Sequence, residues 1–274
     1  MDLYVVSGGN HDPTNGPLYQ DRLYINDGSS RFIHVPGALP QMHTSGGTVV
    51  PLDFDEDGDK DLFVGGRVLT GQYPLAPRSY LLENENGRFT DVTDRTAPGL
   101  ANPGMVTDAV WADLDNDNQP ELAIAGEWMP VRIFKKTNDN NLSEITDRAG
   151  LQHSSGWWNV LKAVDLNGDG HLELIAGNRG LNSGLETSPD APVRIYADDF
   201  NDDGIVDPII SHVVNNKRYP LPGRDQLLQQ LPNLKRRFPS YESYSEAAVS
   251  DVLTASNVDN AVTLEVYSFC FYRF

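Results

Sequence analysis

The amino-acid sequence predicts an all-β protein made of repeated units, and three observations point to this class. Acidic nine-residue windows recur along the chain, short apolar runs ending in glycine follow three of them, and turns rich in Asn, Asp and Gly separate further apolar runs. Short apolar runs bounded by such turn residues are typical of buried strands. The chain has 274 residues, which is enough to bury a sizeable core.

Four of the acidic windows share one pattern, and we number them loops 1 to 4. Each has Asp or Asn at positions 1, 3 and 5, and Asp or Glu at position 9. These residues are Asp53, Asp55, Asp57 and Asp61 in loop 1; Asp113, Asp115, Asp117 and Glu121 in loop 2; Asp165, Asn167, Asp169 and Glu173 in loop 3; and Asp199, Asn201, Asp203 and Asp207 in loop 4. Position 6 is Gly in three loops and Asn118 in loop 2, the residue types that best tolerate a left-handed backbone.

The shared pattern predicts calcium-binding loops. Oxygen atoms at alternate positions of a tight bend can converge on one point, and a carbonyl at position 7 and the acid at position 9 complete the shell. Ca²⁺ takes about six to eight oxygen ligands at about 2.3–2.6 Å, whereas Mg²⁺ prefers a smaller octahedron. Without a cation, two carboxylates ~4 Å apart repel by about 4 kcal/mol at an effective dielectric near 20. The sequence therefore predicts about four Ca²⁺ sites, one in each loop.

Two other interpretations of the loops are less consistent with the pattern. Polar turns between strands need no acid at position 9, so four windows in the same register favour metal binding. An EF-hand requires a Glu at position 12 and a helix on each side of the loop. Position 12 is occupied here by Val64, Ile124, Ala176 and Ile210. The loops are therefore predicted to join strand to strand.

The loops belong to a larger repeat. Position 9 falls on Asp61 and Glu121, about 60 residues apart, and the run that starts at Asp2 matches the run after loop 1. We therefore expect the chain to begin inside a further loop of the same kind. Hairpins are predicted at residues 22–32, 79–89 and 131–145, between the loops. One unit thus holds about four strands, which is the content of a propeller blade.

These units resemble FG-GAP repeats, also called VCBS repeats, which form the calcium-loop blades of integrin alpha-subunit propellers and of bacterial surface proteins. Residues 19–26, 156–159 and 193–199 are further similar to bacterial relatives of cartilage acidic protein. The resemblance covers residues 2–211 and implies a β-propeller with calcium ligands at positions 1, 3, 5 and 9. Such propellers usually have about six or more blades, whereas this chain supplies about four. We therefore expect an incomplete ring that further blades of a longer chain complete.

The sequence pattern changes after Ile210. Helical spacing occurs at residues 224–231, 233–238 and 241–252, and prolines divide this part of the chain into short pieces. We predict propeller blades over residues 1–211, a small helical insertion over residues 212–258, and a strand of a following, incomplete blade over residues 259–274. The apolar end, residues 261–274, is expected to be a bare strand that is prone to aggregation.

Composition excludes several functional classes. The chain has 39 acidic and 21 basic residues, a formal net charge of −18, which disfavours nucleic acid as a partner. Its single cysteine, Cys270, excludes an internal disulfide framework and a Cys-rich zinc site. Apolar runs stay below the ~20 residues that a membrane span requires. The sequence contains no HExxH, Walker, GxSxG or GxGxxG pattern, so a non-catalytic role is favoured.

The tryptophans are candidates for either packing or ligand contact. Trp111 and Trp128 flank loop 2 and are predicted to pack between blades. Trp157 and Trp158 are adjacent, so on a strand one side chain faces inward and the other outward. Packing is favoured for this pair, although an exposed indole ring could stack on a sugar.

Together, these features favour a calcium-binding, non-catalytic module that acts as a binding or scaffolding surface of the adhesion type. We expect it outside the cell, on the cell surface or in the periplasm, because extracellular calcium modules bind at ~10⁻⁴–10⁻³ M. The ligand would be a protein or a glycan. The alternative is a glycan-active propeller, either a lectin or a calcium-dependent polysaccharide lyase, which would need an exposed aromatic residue such as Trp157 or Trp158 beside a basic residue.

Overall fold

A computed structural model describes residues 1–11, 16–270 and 272–273 and shows a mostly β architecture of antiparallel sheets. The first sheet contains β1 (Leu3–Val5), β2 (Arg22–Asn26) and β3 (Phe32–His34). The second sheet contains β4 (Ser45–Leu52), β5 (Asp61–Val68), β6 (Tyr80–Glu85) and β7 (Arg88–Asp91), in that order across the sheet. The prediction of an all-β class is thus confirmed in the form of a mostly β architecture that also contains short helices.

The third sheet repeats this plan and is then extended. It begins with β8 (Met105–Ala112), β9 (Glu121–Met129), β10 (Arg132–Lys136) and β11 (Leu142–Glu144). Strands β12 (Gly156–Val164) and β13 (Glu173–Asn178) form the next unit, and the start of β12 pairs with the end of β9. The predicted hairpins correspond to β2–β3, β6–β7 and β10–β11.

The fourth sheet combines β14 (Val193–Asp198), β15 (Asp207–Val214) and β16 (Lys217–Pro220) with β17 (Val262–Val266), which pairs with β14. Strand β18 (Tyr272–Arg273) pairs with β13. The α-helices are α1 (Thr93–Thr96), α2 (Arg224–Gln230), α3 (Tyr241–Ser245), α4 (Val249–Val252) and α5 (Ala255–Asn260). Short 3₁₀ helices cover Pro17–Tyr19, Pro98–Leu100 and Pro232–Arg236.

Consecutive units pack face to face because their central strands are apolar on both faces. On β9, Leu122 and Ile124 join a core with Phe63 of the second sheet. The alternate residue Ala123 lies in a second core together with Trp158 of β12. Since successive side chains of a strand point to opposite faces, one buried strand contributes to two neighbouring cores.

The start of the helical insertion differs from the prediction. Residues 212–220, predicted as the start of the helical insertion, continue β15 and form β16. The turn between these strands contains Asn215 and Asn216, both at positive φ (49° and 62°), and two such residues in succession favour a two-residue hairpin turn. The helices of the insertion therefore begin at Arg224, the first residue of α2.

The predicted bare apolar end is also different in the structure. Strand β17 pairs with β14 over five residue pairs, and Val266 and Phe269 are buried (0% and 1% exposed). These two side chains share a core with Trp157. The apolar residues of this segment thus complete an existing sheet and its core, because β14 offers an unpaired edge for them. Residues 271 and 274 of this prediction lie outside the described residues.

Candidate metal centre

Each of the four loops joins the first and second strands of a unit. Loop 1 connects β4 to β5, loop 2 connects β8 to β9, loop 3 connects β12 to β13, and loop 4 connects β14 to β15. The loops therefore have the strand–loop–strand setting that the sequence predicts. Loops 2 and 3 touch, because the Asn116 side-chain amide lies 2.8 Å from the His171 ring.

The loops share three hydrogen bonds at equivalent positions. The backbone N–H at position 6 donates to the acid at position 1, with N–O distances of 3.2, 2.9, 2.9 and 2.7 Å in loops 1 to 4. The N–H at position 7 donates to the acid at position 5, at 3.0, 2.9, 2.9 and 2.9 Å. The N–H at position 2 donates to the acid at position 9, at 2.9, 2.8, 2.8 and 3.1 Å. One backbone geometry therefore serves all four sequences.

This geometry requires positive φ at two positions, of which sequence analysis identified one. At position 6, the φ values of Gly58, Asn118, Gly170 and Gly204 are 101°, 65°, 86° and 85°. At position 4, Glu56, Asn116, Gly168 and Asp202 have φ values of 67°, 59°, 77° and 61°. Asn, Gly and Asp at position 4 are a signal that could have revealed the second bend, whereas a Glu at that position gives none.

In loop 1 the carboxylates converge. Oxygen atoms of Asp53, Asp55 and Asp57 all lie within 4.8 Å of one another. Asp53 Oδ2 accepts the N–H of Gly58, but Asp53 Oδ1 is buried and has no hydrogen-bond partner within the described part of the chain. The same is true of Oδ1 of Asp59, the residue at position 7. A buried carboxylate oxygen without a donor is costly, and a bound cation would satisfy it. The donor set of loop 1 therefore fits a hard divalent ion.

Asp61, at position 9, links loop 1 to the adjacent strand β6. It is 1% exposed, its Oδ2 accepts the N–H of Phe54 at 2.9 Å, and its Oδ1 accepts the N–H of Asn84 at 2.8 Å. Burial raises the pKa of Asp61 to about 6, although both hydrogen bonds act in the opposite direction. Asp2 makes the equivalent contact, because the N–H of Asn26 donates to its Oδ1 at 2.9 Å. This matches the sequence alignment of Asp2 with position 9.

In loop 2 the acidic cluster contains a lysine. Oxygen atoms of Asp113, Asp115 and Glu121 lie within 4.8 Å of one another. Lys135 of β10 donates from Nζ to Asp115 at 2.6 Å, to Asp117 at 2.7 Å and to Glu121 at 2.9 Å. Burial alone would lower the pKa of Lys135, but the three carboxylates outweigh it and raise the pKa. Sequence analysis missed this residue, because Lys135 lies 14 positions after Glu121 and only the β9–β10 pairing brings the two together.

Loops 3 and 4 have an Asn at position 3, so the three-carboxylate groups found among the described residues belong to loops 1 and 2. In loop 3, the Asn167 side-chain amide donates to Asp169 at 2.8 Å and to Glu173 at 3.3 Å. In loop 4, the Asn201 amide donates to the carbonyl of Gln230 at 2.9 Å. Hydrogen bonds from the N–H groups at position 6 lower the pKa of the acids at position 1, Asp165 and Asp199.

The opposite ends of the same strands carry a different set of side chains. Arg67, Glu127 and Arg179 each occupy the fifteenth position counted from the start of loops 1, 2 and 3. Arg67 forms an ion pair with Glu127 at 2.6 Å. The guanidinium of Arg179 lies 4.3 Å from the centre of the Trp157 ring. Glu127, Arg179 and Trp157 line a cavity of about 400 Å³ together with Tyr73, Asn159 and Ile210.

The structure places all four tryptophans in or against cores. Trp128, Trp157 and Trp158 are 3%, 8% and 0% exposed. Trp111 is half-buried against the core between the second and third sheets. The expectation that one of the adjacent pair faces outward is therefore wrong. The two side chains do point to opposite faces of β12, but each face is covered by a different core.

Comparison with known families identifies one repeat. The sequence model of the FG-GAP-like repeat matches residues 113–176, which run from the first position of loop 2 to the middle of β13. No curated protein sequence matches the chain. Within the described residues, the helices are too short and too polar to cross a membrane. The chain thus contains an FG-GAP-like repeat in a mostly β structure whose acidic clusters can hold a metal ion.

Proposed function

We propose that this chain is a calcium-binding, non-catalytic segment of an extracellular β-propeller, and that it acts as a binding or scaffolding surface. The observation that carries the proposal is the buried, unpartnered Oδ1 of Asp53 within the convergent carboxylates of loop 1. The FG-GAP-like repeat and the resemblance to VCBS and cartilage-acidic-protein-like repeats support a propeller of exported proteins.

Calcium fits these loops better than magnesium does. Asp53, Asp55 and Asp57 supply carboxylate oxygens from one tight bend, and Asp61 lies at the base of the same loop. Ca²⁺ accepts a larger and less regular set of oxygen ligands than Mg²⁺, which needs near-ideal octahedral geometry and keeps its water. When bound, the ion would supply positive charge that holds the like-charged carboxylates together. The role is structural, because it fixes the bend between two strands.

The packing of the sheets supports propeller blades as their arrangement. Strands β5 and β9 are buried on both faces, and the second sheet shares one core with the first sheet and another with the third. In a propeller, sheets of about four strands are arranged around an axis and pack against their neighbours in the same manner. The bound ions would then stabilise the loops at one end of each blade and leave the other end free for a ligand.

Calcium titration of the thermal stability tests this proposal. Excess chelator should lower the melting temperature of the wild-type chain, and added calcium should restore it. Asp53→Ala should bind about one ion fewer in equilibrium dialysis, because it removes an oxygen donor of loop 1. Asp139→Ala is the matched control, since Asp139 is exposed in the turn between β10 and β11. An identical melting temperature with chelator and with calcium would refute calcium binding.

A second function is favoured by the cavity at the other end of the blades, namely binding of an acidic saccharide. Arg179 is exposed and stacks on Trp157, so its guanidinium can form a bidentate contact with a carboxylate. Asn159 offers a side-chain amide for sugar hydroxyls in the same cavity. With Arg67 and Glu127, the residues at this site carry a net charge of about +1, in contrast to −18 for the chain.

Binding of oligogalacturonate distinguishes the two functions. If the cavity recognises acidic sugars, Arg179→Ala should lose binding in isothermal titration calorimetry. Arg88→Ala, which changes an exposed arginine on β7, should bind like the wild type. A polysaccharide degradation assay on the wild type separates a lectin from a lyase. Absence of both binding and degradation would leave the scaffolding function alone.

A further inference from the structure

Strand pairing places different charged residues beside the equivalent loops 1 and 2. In the second sheet, Leu62 of β5 pairs with Leu82 of β6. Leu62 follows Asp61, the last residue of loop 1, so the next position across the pair is Glu83. Glu83 is bound by Arg95 at 2.9 Å. The neighbour of loop 1 on the adjacent strand is therefore an acid that is paired with an exposed arginine.

In the third sheet, the same position is a base. Leu122 of β9 pairs with Phe134 of β10, and Leu122 follows Glu121, the last residue of loop 2. The next position across this pair is Lys135. Its side chain is 21% exposed and reaches three carboxylates of loop 2 at 2.6–2.9 Å. An ammonium group has three N–H donors, so the three contacts use its full capacity.

The acids at position 1 of loops 1 and 2 also differ in their hydrogen bonding. In loop 1, Asp53 Oδ1 has no partner within the described residues. In loop 2, Asp113 uses both oxygens, because Oδ1 accepts the N–H of Asp117 at 3.1 Å and Oδ2 accepts the N–H of Asn118 at 2.9 Å. Asp53 of loop 1 therefore keeps a buried oxygen that a cation would satisfy. The acids at position 1 of loops 2, 3 and 4 are bonded at both oxygens by backbone N–H groups, so the feature that sets loop 2 apart is the ammonium of Lys135.

Two other acids of loop 2 use both carboxylate oxygens in the same way. Asp117 accepts the N–H of Gln119 with Oδ1 and the ammonium of Lys135 with Oδ2. Glu121 accepts the N–H of Leu114 with Oε2 and the same ammonium with Oε1. A divalent ion entering loop 2 would have to displace Lys135 and would be repelled by its charge at short range.

We propose that Lys135 is a resident cation that replaces the metal in loop 2, so that this loop is held in shape without calcium. The inference rests on the proposed function for the other loops. It reduces the expected number of bound ions to one fewer than the number of loops. Because the ammonium is covalently tied to β10, loop 2 keeps its bend when calcium is withdrawn, while loop 1 does not.

Counting bound calcium ions in charge variants tests this inference. Lys135→Gln should increase the number of ions per chain by one in equilibrium dialysis, because loop 2 loses its internal cation. Lys217→Gln is the matched control, since it removes the same charge and its ammonium donates to the carbonyl of Glu246, outside all four loops. It should leave the number of bound ions unchanged. Purification in calcium keeps the Lys135 variant folded, because the gained ion replaces the lost ammonium.

The reciprocal variant in loop 1 gives an independent measurement. Glu83→Lys should lose one bound ion, whereas Glu83→Gln, which removes the acid without adding an ammonium, should keep it.

Equal ion counts for wild type and Lys135→Gln overturn the inference. An ion gained by Lys135→Gln when the wild type binds none supports the inference and refutes the proposed function of the remaining loops. If neither the wild type nor Lys135→Gln binds calcium, both the inference and the proposed function are overturned.

Discussion

The second and fourth sheets are built on the same loop and hairpin, but they obtain their fourth strand in different ways. In the second sheet, β4 to β7 follow one another along residues 45–91 and across the sheet. In the fourth sheet, three strands are consecutive, and β17 joins only after the helices α2 to α5. It pairs with β14, the strand that precedes loop 4, and therefore lies on the side opposite to the hairpin.

The two sheets also differ in what covers them. The second sheet has a neighbouring sheet on each face, through the cores that contain Phe63 and Leu62. One face of the fourth sheet is instead covered by the helical segment, where Tyr196 and Ile209 pack with Leu227 and Phe238. The repeat therefore specifies the loop and its hairpin. The edge and the faces of a sheet are completed by other segments, which are neighbouring sheets for the second sheet and β17 with the helices for the fourth.

Truncation of buried aromatic residues should give the largest effect and should separate the two sheets. Phe63→Ala should destabilise the chain by about 3–5 kcal/mol in denaturant unfolding, because Phe63 is fully buried between two sheets. Phe269→Ala should release β17 locally, and faster hydrogen exchange over residues 193–198 should accompany it. Uniform exchange throughout the chain in the Phe269 variant would contradict the separate attachment of β17.

Removal of the acids at position 9 should give an intermediate effect that differs between the sheets. With excess chelator present, Asp61→Ala leaves the N–H groups of Phe54 and Asn84 without their acceptor, at about 1–3 kcal/mol each. Asp207→Ala leaves one such group, that of Phe200. Chemical denaturation should show the larger loss for Asp61. Equal losses would mean that the link from loop 1 to β6 contributes nothing.

Substitution of the glycines at position 6 should give a smaller and equal effect in both sheets. Gly58 and Gly204 have φ values of 101° and 85°, and an added Cβ would meet no atom within 4 Å at either position. The cost of Gly→Ala is therefore the left-handed backbone alone, about 1–2 kcal/mol. Thermal unfolding of both variants measures it. A difference beyond about 1 kcal/mol would show that the two loops do not share one geometry.

Two ion pairs should give the smallest effect, as a pH dependence of the same sign. The hydrogen bond from Arg132 lowers the pKa of Glu144, and contacts with Tyr267 and Arg194 outweigh burial to lower the pKa of Glu265. Their stabilisation is present above the unfolded pKa near 4.5 and is lost as pH falls through the lower folded values. Glu144→Gln and Glu265→Gln should each flatten the acid side of a stability profile measured by denaturation. A steeper acid side in either variant would contradict the lowered pKa.

Much of the local structure could be predicted from sequence, because it depends on neighbouring residues. The loops, the hairpins and the bend at position 6 follow from residues within one window. Glu56 at positive φ gave no signal, since Glu is not a turn residue. Lys135 could not be assigned to loop 2, because its contact requires the register between β9 and β10. The burial of Trp157 and the pairing of β17 depend on chain segments about 70–110 residues apart, which no local pattern encodes.

The direction of the strands separates charge across the molecule. The acidic loops lie at the beginning of β5, β9 and β13. Arg67, Glu127 and Arg179 lie near or just after the ends of these strands, about 25 Å away for an eight-residue strand, and together carry a net charge of about +1. Such a separation of charge gives the protein a dipole moment along the strands. Near a negatively charged surface, the molecule would turn its arginine end inward and its acidic end toward the solvent. Bound calcium would reduce the negative charge of the loops and so weaken this orientation. Calcium would then affect the orientation of the protein at a surface as well as its stability.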